Sequence, residues 1–335
     1  MRRRRLSERQ IARIERIQER RRHRLEARTE AVLDGLDEAS PRPGRIMVRH
    51  GANLAVEDDH GHLHHCVSRR NIGQPVCGDR VVWQTTGDGT GVVTALLPRA
   101  TVLSRPDYAG RDKPLAANVT LMIIVVAPRP APTGYLIDQY LVTAELIGVD
   151  ALILCNKMDL LDAAGSQGFL ADLAHYADIG YALLPLSVKQ DPRVRTLLDR
   201  LAGETAILLG QSGVGKSSLV KALLPDQDIQ IGRLSQATGL GRHTTSASTC
   251  YRLGEGGYLI DSPGVRSFRL GTLERDALER GFREFAPYLG RCRFADCRHL
   301  QEPDCALREA AAAGAIAAQR LENFHLLAAE LERTA

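Results

Sequence analysis

Three short polar segments, each following a short apolar run, limit what this chain can fold into. They are residues 156–159 (Asn-Lys-Met-Asp), 210–217 (Gly-Gln-Ser-Gly-Val-Gly-Lys-Ser) and 261–264 (Asp-Ser-Pro-Gly). Continuous apolar runs are typical of strands buried in a parallel sheet, and ligands bind beyond the carboxyl ends of such strands. The pattern therefore predicts an α/β sheet with polar loops gathered at one edge.

The second of these segments predicts a phosphate-binding loop. It follows the strand-like run 206–209 and precedes the helix-like run 218–224, the context in which Gly-x-x-x-x-Gly-Lys-Ser binds phosphates. Its glycines let the backbone curl, so that successive N–H groups can face phosphate oxygens. Lys216 is expected to reach the β- and γ-phosphates, and the Ser217 hydroxyl to bind Mg²⁺.

The choice of base rests on the first segment, because the phosphate loop alone also resembles that of guanylate-kinase-like enzymes. The Asp159 carboxylate can accept hydrogen bonds from guanine N1–H and the 2-amino group, which adenine does not offer. Asn156 is expected to tie this loop to the phosphate loop, and the Lys157 stem to lie against the base. After the strand-like run 181–186, Ser187 is expected to begin a loop that contacts guanine O6 through backbone N–H groups.

Residues 261–264 predict a sensor of the γ-phosphate. Asp261 is expected to hold Mg²⁺ through water, and the Gly264 N–H to contact the γ-phosphate. The next residue is Val265, whose side chain cannot orient water as the Gln of Ras-like enzymes does. Thr244 can complete the Mg²⁺ shell. Two interpretations stay open for His243, which either orients the attacking water or belongs to a polar loop without a chemical role.

The order of the three segments is inverted relative to most GTPases, in which the phosphate loop comes first and Asn-Lys-x-Asp comes last. The ends of a domain often lie close together, so they can be joined and the chain opened elsewhere without loss of the sheet. The sequence therefore predicts a circularly permuted α/β P-loop GTPase domain over residues 112–271.

A second predicted site contains Cys292, Cys297, His299 and Cys305. Three thiolates and one imidazole complete a tetrahedral Zn²⁺ shell with no open position, so a structural zinc site is expected, in an α-helical domain over residues 272–335. No signal peptide or apolar span of membrane length is apparent, which predicts a cytoplasmic protein whose thiols stay reduced.

The amino-terminal part differs in composition. Residues 1–40 form an Arg-rich extension, which is expected to be helical or disordered. It either binds RNA or is a solvated tail without a defined partner. The net charge of the whole chain is only +4, so RNA affinity must come from local patches such as this one. Residues 41–105 carry short strand-like runs separated by turns, which predicts a small antiparallel barrel, an OB-fold. The histidines at positions 60, 62, 64 and 65 are expected to form a polar hairpin face rather than a metal site.

Taken together, these motifs resemble the RsgA (YjeQ) family of bacterial circularly permuted GTPases of small ribosomal subunit biogenesis. The resemblance covers about residues 40–331 and includes residues 241–245 (Gly-Arg-His-Thr-Thr) and 261–268. It implies an OB-fold, a permuted GTPase domain and a zinc domain. It also implies GTP hydrolysis stimulated by the 30S subunit, contact with 16S rRNA and a role in late 30S maturation. His243 matches the family's switch histidine, a suspected catalytic residue.

The predicted site residues fall into three sets beside the zinc ligands. The GTP-binding set is Asn156, Lys157, Asp159, Ser187, Gly210, Gln211, Ser212, Gly213, Val214, Gly215, Lys216, Ser217 and Ser218. The catalytic set is His243, Lys216, Thr244 and Gly264, and the Mg²⁺ set is Ser217, Thr244 and Asp261. A monomer that binds GTP, GDP and the 30S subunit, and no membrane, is expected.

Two other classes of function remain. A P-loop nucleotide kinase would transfer phosphate to a small acceptor, but it leaves residues 156–159, the zinc site and the barrel without a role. An RNA-binding protein that uses GTP only as a clamp would bind the 30S subunit without stimulated turnover.

Overall fold

The computed structural model describes residues 40–69, 72–86, 90–106, 111–188, 193–226, 230, 248–254, 256–262 and 273–334. They form two units. The first contains the described residues before 76 and Asp79–Pro98, and the second contains Val76–Gly78 and the described residues from Arg99 onward. The predicted Arg-rich extension lies outside the described residues except for Ser40. No described helix has both the length and the apolar character that crossing a membrane requires.

The first unit is a five-stranded barrel. Its strands are β1 (Arg42–His50), β2 (Asn53–Glu57), β3 (Leu63–Ser68), β4 (Arg80–Thr85) and β5 (Gly91–Leu96). The ring runs β1-β2-β3-β5-β4 and closes by pairing of β4 with β1, with β3 and β5 parallel and the other pairs antiparallel. Register shifts in the β1–β2 and β4–β5 pairs leave Met47 of β1 and Thr94 of β5 as extra residues, and such bulges bend strands and help a small sheet to close. The predicted OB-fold barrel is confirmed.

The barrel interior is filled by side chains that alternate along the strands. They are Ile46, Leu54, Val56, Cys66, Val81, Trp83 and Val93. Gly91 faces the same interior, where a Cβ would lie 2.5 Å from Cys66 Sγ and 2.9 Å from Trp83 Cε3. Glycine at this position therefore allows the large indole to pack inside a narrow barrel.

The histidine-rich segment forms the β2–β3 hairpin, and β3 is a strand that the sequence did not predict. Asp58 accepts hydrogen bonds from the backbone N–H groups of His60 at 3.0 Å and His62 at 2.8 Å, and its other oxygen lies 2.8 Å from His64 Nε2. Burial alone would raise the pKa of Asp58, but these bonds lower it to about 2. The segment thus turns around one carboxylate, with His64 and His65 on β3.

The second unit contains a hairpin and a six-stranded sheet. The hairpin strands are β6 (Val102–Pro106) and β7 (Asp112–Ala117). The sheet strands are β8 (Leu121–Val126), β9 (Asp150–Cys155), β10 (Ala182–Pro185), β11 (Thr205–Leu209), β12 (Thr249–Arg252) and β13 (Tyr258–Asp261). Their order is β10-β9-β8-β11-β13-β12, and all neighbouring pairs are parallel except β13 with β12. The barrel was predicted to extend to residue 105, whereas β6 pairs with β7 and the barrel strands end at Leu96.

Helices follow the strands of this sheet and then form the C-terminal part. The described helices are α1 (Gly134–Ile147), α2 (Ala163–Asp172), α3 (Ala174–Asp178), α4 (Arg193–Arg200), α5 (Lys216–Leu223), α6 (Arg275–Arg280), α7 (Ala306–Ala312) and α8 (Ala318–Thr334). Short 3₁₀ turns occur at Met158–Leu160 and Arg283–Phe285. The predicted α-helical character of the C-terminal region is confirmed.

Helix α1 is the element that the sheet and the C-terminal helices share. It contacts β8 and β9 as well as α6 and α8, and residues 137–144 are all buried. Phe282, Phe285 and Phe324 pack together at ring-centroid distances of 4.8 to 5.6 Å, in a cluster that also includes Val142 of α1. The C-terminal helices therefore complete the core of this unit rather than forming a separate one.

A buried ion cluster reinforces this contact. Arg320 of α8 donates from Nη1 to Asp138 of α1 at 2.7 Å, and from Nε and Nη2 to the Glu284 carboxylate at 2.6 and 2.9 Å. Asp138 also accepts hydrogen bonds from Asn323 at 2.6 Å and from the Tyr176 hydroxyl at 2.7 Å. Because Asp138 and Arg320 are only 0% and 1% exposed, each charge depends on its partner for stabilisation.

The cluster predicts a large loss of stability when one member is removed. Arg320→Met should lower the free energy of unfolding by about 3–5 kcal/mol, because it leaves buried carboxylates without a counter-charge. Urea unfolding followed by far-UV circular dichroism measures this. Arg195→Met is the matched control, since Arg195 is 73% exposed and lies 3.6 Å from Asp199, and it should change stability by about 0.5 kcal/mol or less. Equal losses in the two variants would contradict the role of the cluster.

Candidate functional site

The sheet order places a crevice where the predicted motifs meet. From β8 the chain proceeds to β9 and β10 on one side, whereas β11 is followed in the sheet by β13 and β12 on the other. Such a reversal between neighbouring strands opens a crevice beyond their carboxyl ends, where α/β proteins bind ligands. Residues 156–159 follow β9, Ser187 follows β10, residues 210–217 follow β11 and Ser262 follows β13. All four segments therefore lie at the same edge.

The phosphate loop has the backbone conformation that its glycines suggest. Gly210, Gly213 and Gly215 have φ values of 125°, 87° and 98°, in the region that side chains disfavour. A Cβ on Gly210 would lie 2.3 Å from the Val125 carbonyl oxygen. Lys216 begins α5, and its ammonium donates to the carbonyls of Gly210 at 2.6 Å and Gln211 at 2.7 Å. The lysine is thus held at the loop, at the N-terminus of a helix.

A buried amide joins the base loop to the phosphate loop. Asn156 is 2% exposed, and its Nδ2 donates to the Val214 carbonyl at 2.9 Å. Its Oδ1 accepts a hydrogen bond from the Val188 backbone N–H at 3.4 Å. A Cβ on Gly215 would lie 2.4 Å from Asn156 Nδ2, so the two loops also approach closely. One side chain therefore holds three loops at a fixed separation.

Lys157 and Asp159 extend the same contact. Lys157 has a φ of 60°, and its ammonium donates to the carbonyls of Gly213 and, at 3.2 Å, Arg129. The Asp159 backbone N–H donates to Ser187 Oγ at 2.8 Å, and the Asp159 side chain is exposed. The Asp159 carboxylate, which is predicted to contact the base, is therefore accessible at the edge of the crevice. The Asp159 backbone is held by the loop that contains Ser187.

Two of the predicted oxygen ligands for Mg²⁺ lie on neighbouring elements. The hydroxyl of Ser217 is in the first turn of α5 and its side chain is exposed, while Asp261 ends β13, which pairs in parallel with β11. A hydroxyl and a carboxylate are the hard oxygen ligands that Mg²⁺ accepts. These residues fit the ion. The predicted residues His243, Thr244 and Gly264 lie outside the described residues.

Two contributors to this site were not predicted from the sequence. Arg129, in the loop after β8, supplies a carbonyl to Lys157. Tyr140 of α1 is 1% exposed, and its hydroxyl oxygen accepts a hydrogen bond from the Gly210 backbone N–H. Burial raises the pKa of Tyr140, and this hydrogen bond offsets part of the rise. Neither residue belongs to a motif, because each acts through packing of elements distant in sequence.

The predicted zinc ligands form one cluster. Cys292, Cys297, His299 and Cys305 each offer a ligand atom, and these atoms lie within 4.8 Å of one another. His299 Nδ1 lies 3.5, 3.5 and 3.3 Å from the sulfurs of Cys292, Cys297 and Cys305, and the sulfurs of Cys292 and Cys305 are 4.0 Å apart. Tetrahedral zinc with Zn–S near 2.3 Å and Zn–N near 2.0 Å separates its ligand atoms by about 3.5–3.8 Å. The cluster therefore fits one such ion.

Glu279 of α6 orients the imidazole of this cluster. Its Oε1 lies 3.2 Å from His299 Nε2, on the opposite side of the ring from the sulfurs. A carboxylate at this nitrogen fixes the tautomer that leaves Nδ1 able to bind metal. His299 is 5% exposed and Cys305 2% exposed, so the cluster is buried against the C-terminal helices. The sequence did not reveal Glu279, which lies 20 residues before the histidine.

Comparison with known proteins agrees with this arrangement. The model of the RsgA GTPase family matches residues 96–271. A protein of Chromohalobacter salexigens described as small ribosomal subunit biogenesis GTPase RsgA is 47% identical over 301 residues, covering 89% of this chain and 88% of the relative. The chain belongs to the RsgA GTPase family. A Pseudomonas aeruginosa RsgA is 44% identical over 332 residues and covers 98% of both chains.

Solved structures of RsgA relatives show the same fold. The crystal structure of YjeQ from Thermotoga maritima superposes with a TM-score of 0.72 at 30% identity, covering 87% of this chain and 99% of that one. YloQ, described as a circularly permuted GTPase, gives a TM-score of 0.69 at 25% identity and covers 88% and 96%. The circular permutation predicted from the motif order is thereby confirmed.

The cluster of three cysteines and one histidine predicts the metal content of the protein. The purified protein should contain one metal ion per chain, counted by elemental mass spectrometry. Cys297→Ala should lose most of it, because a structural tetrahedral site needs all four ligands. Glu279→Gln should keep the ligands but weaken affinity about 10- to 100-fold in chelator competition.

Cys66→Ala is the control for this experiment. Cys66 is buried in the barrel and belongs to no metal cluster among the residues that the structure describes, so its removal should leave the metal content unchanged. Equal metal content in Cys297→Ala and wild type would contradict the site.

Proposed function

We propose that this chain is a GTPase of small ribosomal subunit maturation that binds the 30S subunit and couples GTP hydrolysis to its own release. The observation that carries the proposal is the convergence of the base loop, the phosphate loop and β13 at one crevice in a member of the RsgA family. Relatives that cover nearly the whole chain are described as small ribosomal subunit biogenesis GTPases, which supports the biological context.

In this proposal Asp159 reads guanine and Lys216 binds the phosphates. The Ser187 loop contacts the base edge, and Ser217 and Asp261 hold Mg²⁺, which supplies charge neutralisation at the phosphates. The remaining residues of the phosphate loop, from Gly210 to Ser218, bind phosphate through backbone N–H groups and hydroxyls. Support comes from the accessible carboxylate of Asp159 and from the lysine fixed at the N-terminus of α5.

The hydrolysis step requires help from outside the chain. Val265 follows the glycine of the second phosphate motif and has no polar atom with which to orient water. His243, with Thr244 and Gly264 beside the γ-phosphate, is our candidate for orienting the water when the 30S subunit is bound. Free protein should then hydrolyse GTP slowly, which allows the subunit to time the reaction.

In this proposal the barrel and the C-terminal domain bind 16S rRNA. We place Zn²⁺ in the Cys292, Cys297, His299 and Cys305 cluster, where it stabilises a helical domain of few residues. OB-folds commonly bind oligonucleotides, and the Arg-rich residues 1–40 add local positive charge. A monomer acting in the cytoplasm suits a factor that binds one ribosomal subunit and is then released.

The first test is GTP turnover by purified protein with and without 30S subunits. We expect 30S subunits to raise kcat by about 100-fold, the effect of one correctly placed polar group on a transition state. The same concentration of 50S subunits should give little stimulation. Lys216→Ala should abolish turnover in both conditions.

The outcome separates the competing functions. Binding of 30S subunits with equal turnover in their presence and absence would favour an RNA-binding protein clamped by GTP. Formation of GDP from GTP and GMP, without release of phosphate, would favour a nucleotide kinase.

The second test concerns the base. Asp159→Asn should weaken GTP binding about 10- to 100-fold, because a charged acceptor for two guanine donors is lost. It should improve binding of xanthosine triphosphate, whose 2-oxo group accepts from the new amide. Equilibrium titration with both nucleotides measures the change.

Asp162→Asn provides the comparison for that substitution. Asp162 lies three residues further on and caps α2 through a hydrogen bond to the Gly165 N–H at 2.7 Å. It should retain the preference for GTP. If Asp159→Asn also retains that preference, the assignment of Asp159 to the base is wrong.

A further inference from the structure

A pair of serine hydroxyls extends the hairpin formed by β12 and β13. Thr249 pairs with Asp261 in this antiparallel ladder, so Ser248 and Ser262 are the next residues on the two strands. Their Oγ atoms are 2.7 Å apart, and Ser262 is 4% exposed. A hydrogen bond between hydroxyls in such a sheltered place holds the two chain segments together beyond the last paired residues.

A third residue fixes this pair from the side. The Cys77 thiol donates to the Ser248 carbonyl at 3.0 Å, and Cys77 is 1% exposed. The Cys77 carbonyl in turn accepts from the Ala117 N–H at 3.0 Å, and Asn118 Nδ2 donates to the Gly78 carbonyl at 3.0 Å. The backbone at Cys77 and Gly78 is therefore held by the end of β7 and by the side chain of the residue after it.

Close packing confirms that this anchor has little freedom. Gly78 has a φ of 89°, and a Cβ there would lie 2.2 Å from the Ala117 carbonyl oxygen. The backbone at residues 77 and 78 thus lies directly against β7. An anchor with fixed backbone can hold the Ser248 carbonyl at a constant position.

We propose that Ser248, Ser262 and Cys77 form a tether that positions Asp261 for its interaction with Mg²⁺. Ser262 is the residue directly after Asp261, and Ser248 lies opposite Ser262. The hydrogen bond between the two hydroxyls therefore fixes the point where β13 ends. A carboxylate that binds an ion must be held within about 0.5 Å by its surroundings. The inference rests on the assignment of Asp261 proposed above, but not on the 30S subunit.

The test is the Mg²⁺ dependence of nucleotide release. The full chain is loaded with N-methylanthraniloyl-GDP, and its dissociation rate is followed by fluorescence over a range of Mg²⁺ concentrations and in EDTA. Ser262→Ala should raise the Mg²⁺ concentration for half-maximal retention about 3- to 10-fold, the effect of one hydrogen bond. Cys77→Ala should cause a smaller shift, because a thiol is a weak donor. Cys77→Ser should restore the wild-type Mg²⁺ dependence, because its hydroxyl replaces the lost donor.

Two further comparisons distinguish positioning from a general structural role. Ser248→Ala should match Ser262→Ala, and the double variant should be no worse than either one, because both substitutions remove the same bond. In EDTA all these variants should release nucleotide at the wild-type rate. Faster release in EDTA as well would overturn the proposal in favour of a merely structural contact.

Asp261→Asn separates failure of the tether from failure of the site assignment. If Asp261→Asn shifts the Mg²⁺ dependence and Ser262→Ala does not, the tether is wrong and the site stands. If Asp261→Asn has no effect, the assignment of Asp261 to Mg²⁺ is wrong and the tether falls with it.

Discussion

The candidate nucleotide site depends on one buried amide, that of Asn156. Its nitrogen bonds to the Val214 carbonyl of the phosphate loop and its oxygen to the Val188 N–H of the loop after β10. These loops are 58 and 32 residues away in sequence, and each follows a different strand. An amide suits this position because it offers a donor and an acceptor together, whereas a carboxylate would leave the Val214 carbonyl facing another acceptor. Circular permutation preserves the contact, since it changes the order of the loops along the chain but not their positions at the sheet edge.

A second constraint is the burial of α1 on both sides. A helix with residues 137–144 all buried cannot cover a sheet on its own, because its outer face needs further cover. The C-terminal helices supply that cover through the three phenylalanine rings and Arg320. The metal cluster is attached to the same group of helices through Glu279 of α6. The helical segment thus both carries the candidate metal site and forms part of the core of the second unit.

The sequence predicted the elements whose chemistry is local and missed those that depend on tertiary contacts. Glycines with positive φ, a lysine at a helix start and cysteines with short spacing carry their own signals, so the sheet edge and the metal cluster were predicted. Strand β3 was missed because its histidines are polar and its pairing partners are set by barrel closure. Asp138 and Arg320 are 182 residues apart, and nothing in either segment indicates that the two charges meet. The end of the barrel was placed too far along the chain because β6 has a strand pattern whichever sheet it joins.

The tripeptide Val76–Gly78 bears on how this chain can be divided. It belongs to the second unit although the residues on both sides of it belong to the first. Cys77 forms a parallel bridge with Ala116, and its carbonyl binds the Ala117 N–H, so the tripeptide acts as a short additional strand beside β7. A fragment that begins at Arg99 would lack these groups and would leave the backbone of Ala117 without its partner in an otherwise buried place. The second unit is therefore not one continuous stretch of sequence, because three of its residues lie within the segment that forms the barrel.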